Sequence, residues 1–224
     1  MFPNAIGTPG ASVADLSSKF GEHATVGRDG EQRTARALNK YCKPGGPTVL
    51  HDLVLPMKGI QANIDHLVIS GKEIRILDSK LWAPGFYWTL LGHTRRGFTR
   101  VDHADKQTMT MAATAINKWL STTSTVRFTM KRPVLIIWPS STRKGTRLGF
   151  YRPVGARAVS GRGLTLRHRH LVGTKPADQS LVGALLPLVL ALRDRREVPR
   201  PAPTPDTRYV LPAPSSMDFL SDDF

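Results

Sequence analysis

Between residues 48 and 82 the chain reads "TVLHDLVLP", "ANIDHLVIS" and "EIRILDSKLW", three runs of aliphatic and β-branched residues separated by turn signals. Runs of this length and content predict β-strands. Three in succession commit the chain to a sheet, and the segments around them say what covers it. Residues 27–43, "GRDGEQRTARALNKYCK", open with Gly and Asp and set Ala35, Leu38 and Cys42 at helical spacing; "PGGP" at 44–47 ends that helix. After the strands, "GFYWTLLGHTRRGFTRV" reads as a further hairpin. A helix is expected over 102–120, with Met109, Ala112, Ala113, Ile116, Trp119 and Leu120 on one stripe. "RPVLIIWPS" at 132–140 has the composition of a buried strand. The basic segments "GFYRPV" and "GLTLRHRHLV" follow as edge strands or loops, and a last helix covers 177–196. The order α, three β, α, β predicts an α/β fold with a central mixed sheet flanked by helices, extended by basic C-terminal additions and a disordered tail.

A chain of 224 residues suits one domain with appendages. Residues 1–24, rich in Gly, Pro, Ala and Ser, read as a flexible arm, and 25–197 as the folded domain. Residues 198–215 form a Pro-rich linker, "VPRPAPTPDTRYVLPAPS", and 216–224 an acidic-aromatic tip. The single cysteine, Cys42, excludes an internal disulfide framework and fits a reducing, cytoplasmic setting. The N-terminal sequence lacks the basic start and apolar run of a signal peptide. The longest apolar run, 181–192, is interrupted by Pro187 and falls short of the roughly 20 residues a bilayer span needs. It is expected to pack as a helix, and no membrane partner is expected.

Charge narrows the partner. Thirty-two Lys and Arg face 17 Asp and Glu, a net of +15. From 131 to 170 there are ten basic residues and no acidic one, Lys131, Arg132, Arg143, Lys144, Arg147 and Arg152 leading the series. A field of this sign attracts polyanions, DNA foremost. These six side chains are the expected contacts to its backbone, largely independent of sequence. A basic protein from an Arg-rich genome would show the same composition.

The strand ends carry the chemistry. Residues two apart on a strand share a face, so Asp78 and Lys80 extend the row begun by Ile74 and Ile76, where core gives way to cleft. Asp65 stands on the neighbouring strand across a short turn. Glu31 lies on the apolar stripe of the first helix, since Ala35, Leu38 and Cys42 follow at i+4, i+7 and i+11. A carboxylate on a buried face breaks the local pattern, as functional sites do. Mg²⁺ binds through a few carboxylate oxygens, water and substrate phosphate, and such a metal can polarise a phosphodiester and acidify a bound water. A neighbouring ammonium stabilises developing charge. The set therefore suits metal-assisted phosphodiester hydrolysis. A surface ion pair at 78 and 80, a turn partner at 65 and a helix-dipole acid at 31 would use the same residues structurally.

Taken together, "GRDGE" at 27–31, "IDHLVIS" at 64–70, "DSKLWAPG" at 78–85 and Gln107 resemble the nuclease-related domain, NERD, which is similar to a branch of the PD-(D/E)xK nuclease superfamily. The resemblance covers roughly residues 27–140 and implies a restriction-endonuclease-like core of αβββαβ order. It also implies a Mg²⁺ cofactor, with Mn²⁺ as a substitute. By it, Asp65 is the main metal ligand, Asp78 the second together with the Ser79 carbonyl, and Glu31 the first-helix acid that assists them. Lys80 positions the attacking water, and Gln107 is the glutamine of the second helix. The family usually has Glu at the position of Asp78 and Asn-Pro ahead of the glutamine, where this chain has "DHADKQ". The implied function is a DNA nuclease in bacterial, plasmid or phage DNA processing, including repair. The alternatives are a non-catalytic DNA-binding protein and an adaptor.

Three further features are open to more than one reading. His51, His66 and His103 flank the acidic set, but no metal-type His spacing joins them, so His66 is expected to be a packed or hydrogen-bonded core histidine. Trp82, Phe86, Tyr87 and Trp88 suit packing against the sheet or stacking on bases. The tip "SSMDFLSDDF" resembles the C-terminal tip of bacterial single-stranded-DNA-binding proteins. That resemblance implies a docking peptide for a protein that recognises such tips, with Asp218, Asp222 and Asp223 for a basic pocket and Phe219 and Phe224 as apolar anchors. A solubilising tail that masks the protein's own basic groove is the other reading.

Overall fold

The computed structural model describes residues 4–10, 22–57, 62–105, 108–141 and 143–197. Its main sheet is mixed, in the order β1 (Ala5–Ile6), β2 (Thr48–Val54), β3 (Asn63–Ser70), β4 (Glu73–Trp82), β9 (Val134–Pro139) and β11 (Arg157–Ser160). Strands β2, β3 and β4 form an antiparallel meander. β9 then joins β4 in parallel, and β11 joins β9 in parallel. The short β8 (Thr129–Met130) pairs with the start of β4. A second, four-stranded sheet consists of β10 (Thr146–Leu148), β5 (Gly85–Leu90), β6 (His93–Arg96) and β7 (Thr99–Arg100).

Helices cover both faces of the main sheet, which is why its strands read as near-continuous apolar runs. On one face α1 (Glu22–Asn39) and α3 (Gly161–Leu166) close a core around Leu38, Val49, Val68, Leu77, Ile136 and Leu164. On the other, α2 (Thr108–Thr123) and α4 (Gln179–Glu197) cover Leu50, Leu67, Ile74, Ile76, Ile116 and Leu185. Strand alternation assigns the residues: Ile74 and Ile76 go to the second core and Leu77 to the first. Among the described residues no helix is long and apolar enough to cross a membrane.

The α, three β, α, β order holds, with three local differences. Residues 4–10, read from sequence as part of a loose arm, place β1 alongside β2, with Asn4 donating to the Gly46 and Pro47 carbonyls. The first helix starts at Glu22 rather than 27 and ends at Asn39, leaving Cys42 buried just beyond it. "GLTLRHRHLV" is helical, not extended. Ser160 caps it by accepting the Gly163 N–H at 3.0 Å, and Gly161 lets the turn lie on the Trp138 ring, where a Cβ would sit 2.2 Å from ring carbon. The linker and tip, 198–224, lie outside the described residues.

Candidate active site

The site forms where β3 and β4 part. Their ladder runs from Ser70–Glu73 to His66–Leu77, and beyond it the Ser79 N–H donates to Asp65 Oδ2 at 2.6 Å. A carboxylate thus takes the place of a backbone acceptor, which fixes the Asp65 side chain beside Asp78. Asp78 continues the row of Ile74 and Ile76, as its spacing requires, and Lys80 follows; the Lys80 ammonium lies 2.5 Å from Asp78 Oδ2. Glu31, only 7% exposed, comes from α1 and accepts from the backbone N–H of Gly10. Gly10 sits at φ +69, a left-handed conformation open to glycine, so a residue of the supposed arm helps hold the first acid.

Asp52 completes the set and was not foreseen. It lies in the middle of β2, buried, at φ +56, between the ladder pairs His51–His66 and Leu53–Ile64. Its charge bears on Glu31. The signal was available: an acid inside "VLHDLVL" breaks the strand's apolar pattern just as Glu31 breaks the helix stripe. Its left-handed backbone, rare for a residue other than glycine, was not readable from sequence.

Crowded carboxylates around one amine set the electrostatics. Burial, then Asp52 and Asp78, push the Glu31 carboxyl up to about 7, against the opposing pull of Lys80 and the Gly10 N–H. Burial, then Asp78 and Glu31, raise Asp65 well above the carboxylate range, although Lys80 and the Ser79 N–H work the other way. Burial alone would lower the Lys80 amine, but Asp78 and Asp65 outweigh it and keep it protonated. The Lys80 side chain stays 42% exposed, so its charged end reaches the opening. Asp65, Asp78 and Lys80 line a cavity of about 240 Å³ together with Ile64, Ile76 and Met109. A larger hollow of about 620 Å³, between Pro56, Met57 and the outer side of α2, contains no carboxylate.

Beneath the acids runs a buried polar chain. His51 Nδ1 meets His66 Nδ1 at 2.8 Å, His66 Nε2 meets Ser79 Oγ at 3.2 Å, and Ser79 Oγ donates to Thr34 Oγ1 at 2.8 Å. Asn39 closes one end on His51 and Trp138 Nε1 the other on Thr34. His66 is therefore a hydrogen-bonded core residue, on the face opposite Asp65. Its ring and that of His51 are held neutral, His51 down to about 4, chiefly by burial. The chain ties α1, β2, β3, β4 and β9 together under the site. His103, by contrast, lies exposed against the edge of Trp82.

The remaining expected residues separate into two groups. Lys131 pairs with Glu73 at 2.8 Å, and Arg132 adjoins it, at the start of β4. Six strand residues, roughly 20 Å, separate that end from Lys80. Arg143 and Lys144, whose backbone N–H groups bond Ser141 Oγ, lie with Arg147 and Arg152 beyond the far end of β9, on the side of the acidic pocket. Gln107 and the tip residues Asp218, Phe219, Asp222, Asp223 and Phe224 lie outside the described residues.

Two observations bear on a metal. Asp78 Oδ2 is buried and has no directed hydrogen bond, only the nearby ammonium. Yet among the described residues no three His, Cys, Asp or Glu side chains form a ready-made cage. A hard cation that keeps several waters needs only one or two carboxylates. Asp65, Asp78 and the neighbouring Ser79 carbonyl fit that kind of ion.

Residues 26–128 match the family model of the nuclease-related domain. The match takes in Glu31, Asp52, Asp65, Asp78 and Lys80, and it ends before the basic segment. No curated protein and no solved structure matches the chain.

Proposed function

As residues 26–128 match the nuclease-related domain, we propose that the chain is a metal-dependent DNA nuclease whose reaction centre is the pocket of Asp65, Asp78 and Lys80, with Glu31 beside it. One observation carries the reading. Asp65 and Asp78 line one cavity with the Lys80 amine, Glu31 bears on all three from α1, and the Glu31 and Asp65 carboxyls are held above their ordinary range. Such crowding costs stability unless a cation or a proton relieves it, and a fold that keeps it has a use for the cation.

Asp65, Asp78 and the Ser79 carbonyl are the groups that would hold Mg²⁺ or Mn²⁺. When bound, the ion supplies Lewis-acid polarisation of a phosphodiester and a more acidic water. Lys80, kept charged by its acidic neighbours, presents donors to a phosphate oxygen or orients the attacking water. It cannot serve as a base in that state. Glu31, its carboxyl pushed up to about 7, can hold or release a proton at neutral pH beside Asp78 and Lys80. The Ser79 N–H holds Asp65 in place, and the histidine chain below holds Ser79.

A second reading, DNA binding without catalysis, draws on two observations: Lys80 already neutralises Asp78, and no three-donor cage is formed among the described residues. The tip remains proposed as a docking peptide in either case, and its deletion would abolish partner capture while leaving cleavage intact. The deciding assay incubates plasmid, linear duplex and single-stranded DNA with the purified protein in Mg²⁺, Mn²⁺ or EDTA. We expect cutting with either metal and none in EDTA, with Asp65→Ala and Lys80→Ala inactive. Mutants that cut as well as wild type would overturn the assignment.

A further inference from the structure

Among the described residues, none of the four-stranded sheet lines the acidic pocket, yet the sheet starts at Gly85, five residues beyond Lys80. Alternation gives it two unlike faces. Inward, Tyr87 and Thr94 are buried, the Tyr87 ring 4.7 Å from that of Trp82. Outward stand Phe86, Trp88 and Leu90 of β5, with Arg95 of β6, Arg100 of β7 and Arg147 of β10 on the same side. Register sets these side chains in rows: Arg147 is beside Phe86, while Trp88, Arg95 and Arg100 follow one another across three strands. The four aromatic residues grouped in the sequence therefore split, Trp82 and Tyr87 into the core and Phe86 and Trp88 to the outside.

The outward face is both apolar and positive. Phe86 is 44% exposed, and Phe98, in the turn between β6 and β7, is 94% exposed. Internal bonds hold the surface in shape: Trp88 Nε1 donates to the Gly97 carbonyl at 2.7 Å and Arg95 to the Phe98 carbonyl at 3.0 Å. Asp102, the acid at this edge, is paired with Arg100. Rings interleaved with guanidinium groups match a strand of bases strung on phosphates. Side chains two residues apart on a strand are about 6.7 Å apart, roughly twice the ~3.4 Å rise between stacked bases. Bases can meet such rings only when drawn out of their stack, which a duplex does not offer.

We propose that this face binds an unpaired DNA strand, with bases on Phe86, Trp88 and Phe98 and phosphates on Arg95, Arg100 and Arg147, and leads it toward the acidic pocket. The proposal rests on the nuclease reading for its choice of DNA and narrows that substrate to single strands or unpaired flanks.

The test is fluorescence anisotropy of labelled oligo(dT), and of a duplex of equal length, titrated with the full chain in EDTA, where no cleavage intervenes. Phe86→Ala and Phe98→Ala should each weaken oligo(dT) binding about five- to a hundredfold, the range for loss of one stacked base, and leave duplex binding near wild type. Arg147→Ala should lower the salt slope by about 0.7, one single-strand phosphate. Phe98 is almost wholly exposed, so its variant keeps the test valid if Phe86→Ala fails to fold. Unchanged oligo(dT) binding in both variants overturns the proposal. So does an equal loss for duplex, or a loss confined to adsorption on phosphatidylserine vesicles. Because binding is read without metal, the two proposals fail separately: cutting by variants that bind normally sinks this one alone, and sheet-dependent binding without cutting sinks the nuclease alone.

Discussion

Asp65 is where the proposed activity and the stability of the fold pull against each other most directly. Its carboxylate is raised by burial and by Asp78 and Glu31, so the metal-free fold pays for every ionised Asp65. Asn keeps an oxygen to accept the Ser79 N–H and removes the charge. Asp65→Asn should therefore stabilise the protein in EDTA at pH 8 by about 1–2 kcal/mol, a rise in Tm of roughly 2–8 °C for a chain of this size. It should also abolish the further rise that Mg²⁺ gives wild type. Differential scanning fluorimetry with and without Mg²⁺ reads both, and a destabilised variant in EDTA would mean that the Asp65 charge is well compensated. At this scale the sequence exposed what breaks a pattern. Glu31, Asp65, Asp78 and Lys80 stand out because charge interrupts an apolar row. Asp52 breaks its row as visibly, and only its left-handed backbone lay beyond reach.

Elements reveal a balance of opposed titrations. His51 is held down to about 4, so below an unfolded value near 6.5 the unfolded chain takes the proton more readily. The stability this contributes is present above 6.5 and is lost as pH falls toward 4. Glu31 is raised to about 7, so its contribution is present below about 4.5 and is lost as pH rises through 7. Between roughly 4.5 and 6.5 the two oppose each other. His66 acts with the first and Asp65 with the second. Glu31→Gln removes one counterweight, and its unfolding free energy in urea titrations should fall on acidification more steeply than that of wild type, by an added 2–3 kcal/mol or so across the window. Parallel profiles would show that Glu31 is not coupled to the fold in this way. The strands and main helices were legible because their periodicity is strong, whereas α3 was not. Its six residues depend on the Ser160 cap and on Gly161 fitting under Trp138, a contact between segments 23 residues apart. Gly161→Ala should cost about 1–3 kcal/mol in denaturant unfolding through overpacking against that ring; a neutral result would mean that the ring moves aside freely.

Across the whole molecule, net charge announced a polyanion, but only the fold says where one would lie. Composition treats the basic residues from 131 onward as one series. The structure splits them, putting Lys131 and Arg132 at the start of β4, with Lys131 on Glu73, and Arg143, Lys144, Arg147 and Arg152 past β9, at the end of the sheet where β4 carries Lys80. Sequence could not make that division, because it depends on β9 running parallel to β4 and carrying the chain from one end of the sheet to the other. On the proposed reading, a polyanion bound at the pocket would meet the second group and not the first. For duplex DNA each phosphate neutralised contributes about 0.9 to the slope of log K against log salt. Replacing Arg143, Lys144 and Arg152 together by Ala should reduce that slope by about 2–3, whereas replacing Lys131 and Arg132 should leave it within about half a unit of wild type. Anisotropy titrations at several salt concentrations in EDTA measure both. If the first triple leaves the slope alone while the pair lowers it, DNA crosses the opposite end of the sheet, and the acidic pocket loses its connection to the substrate that the charge was taken to recruit.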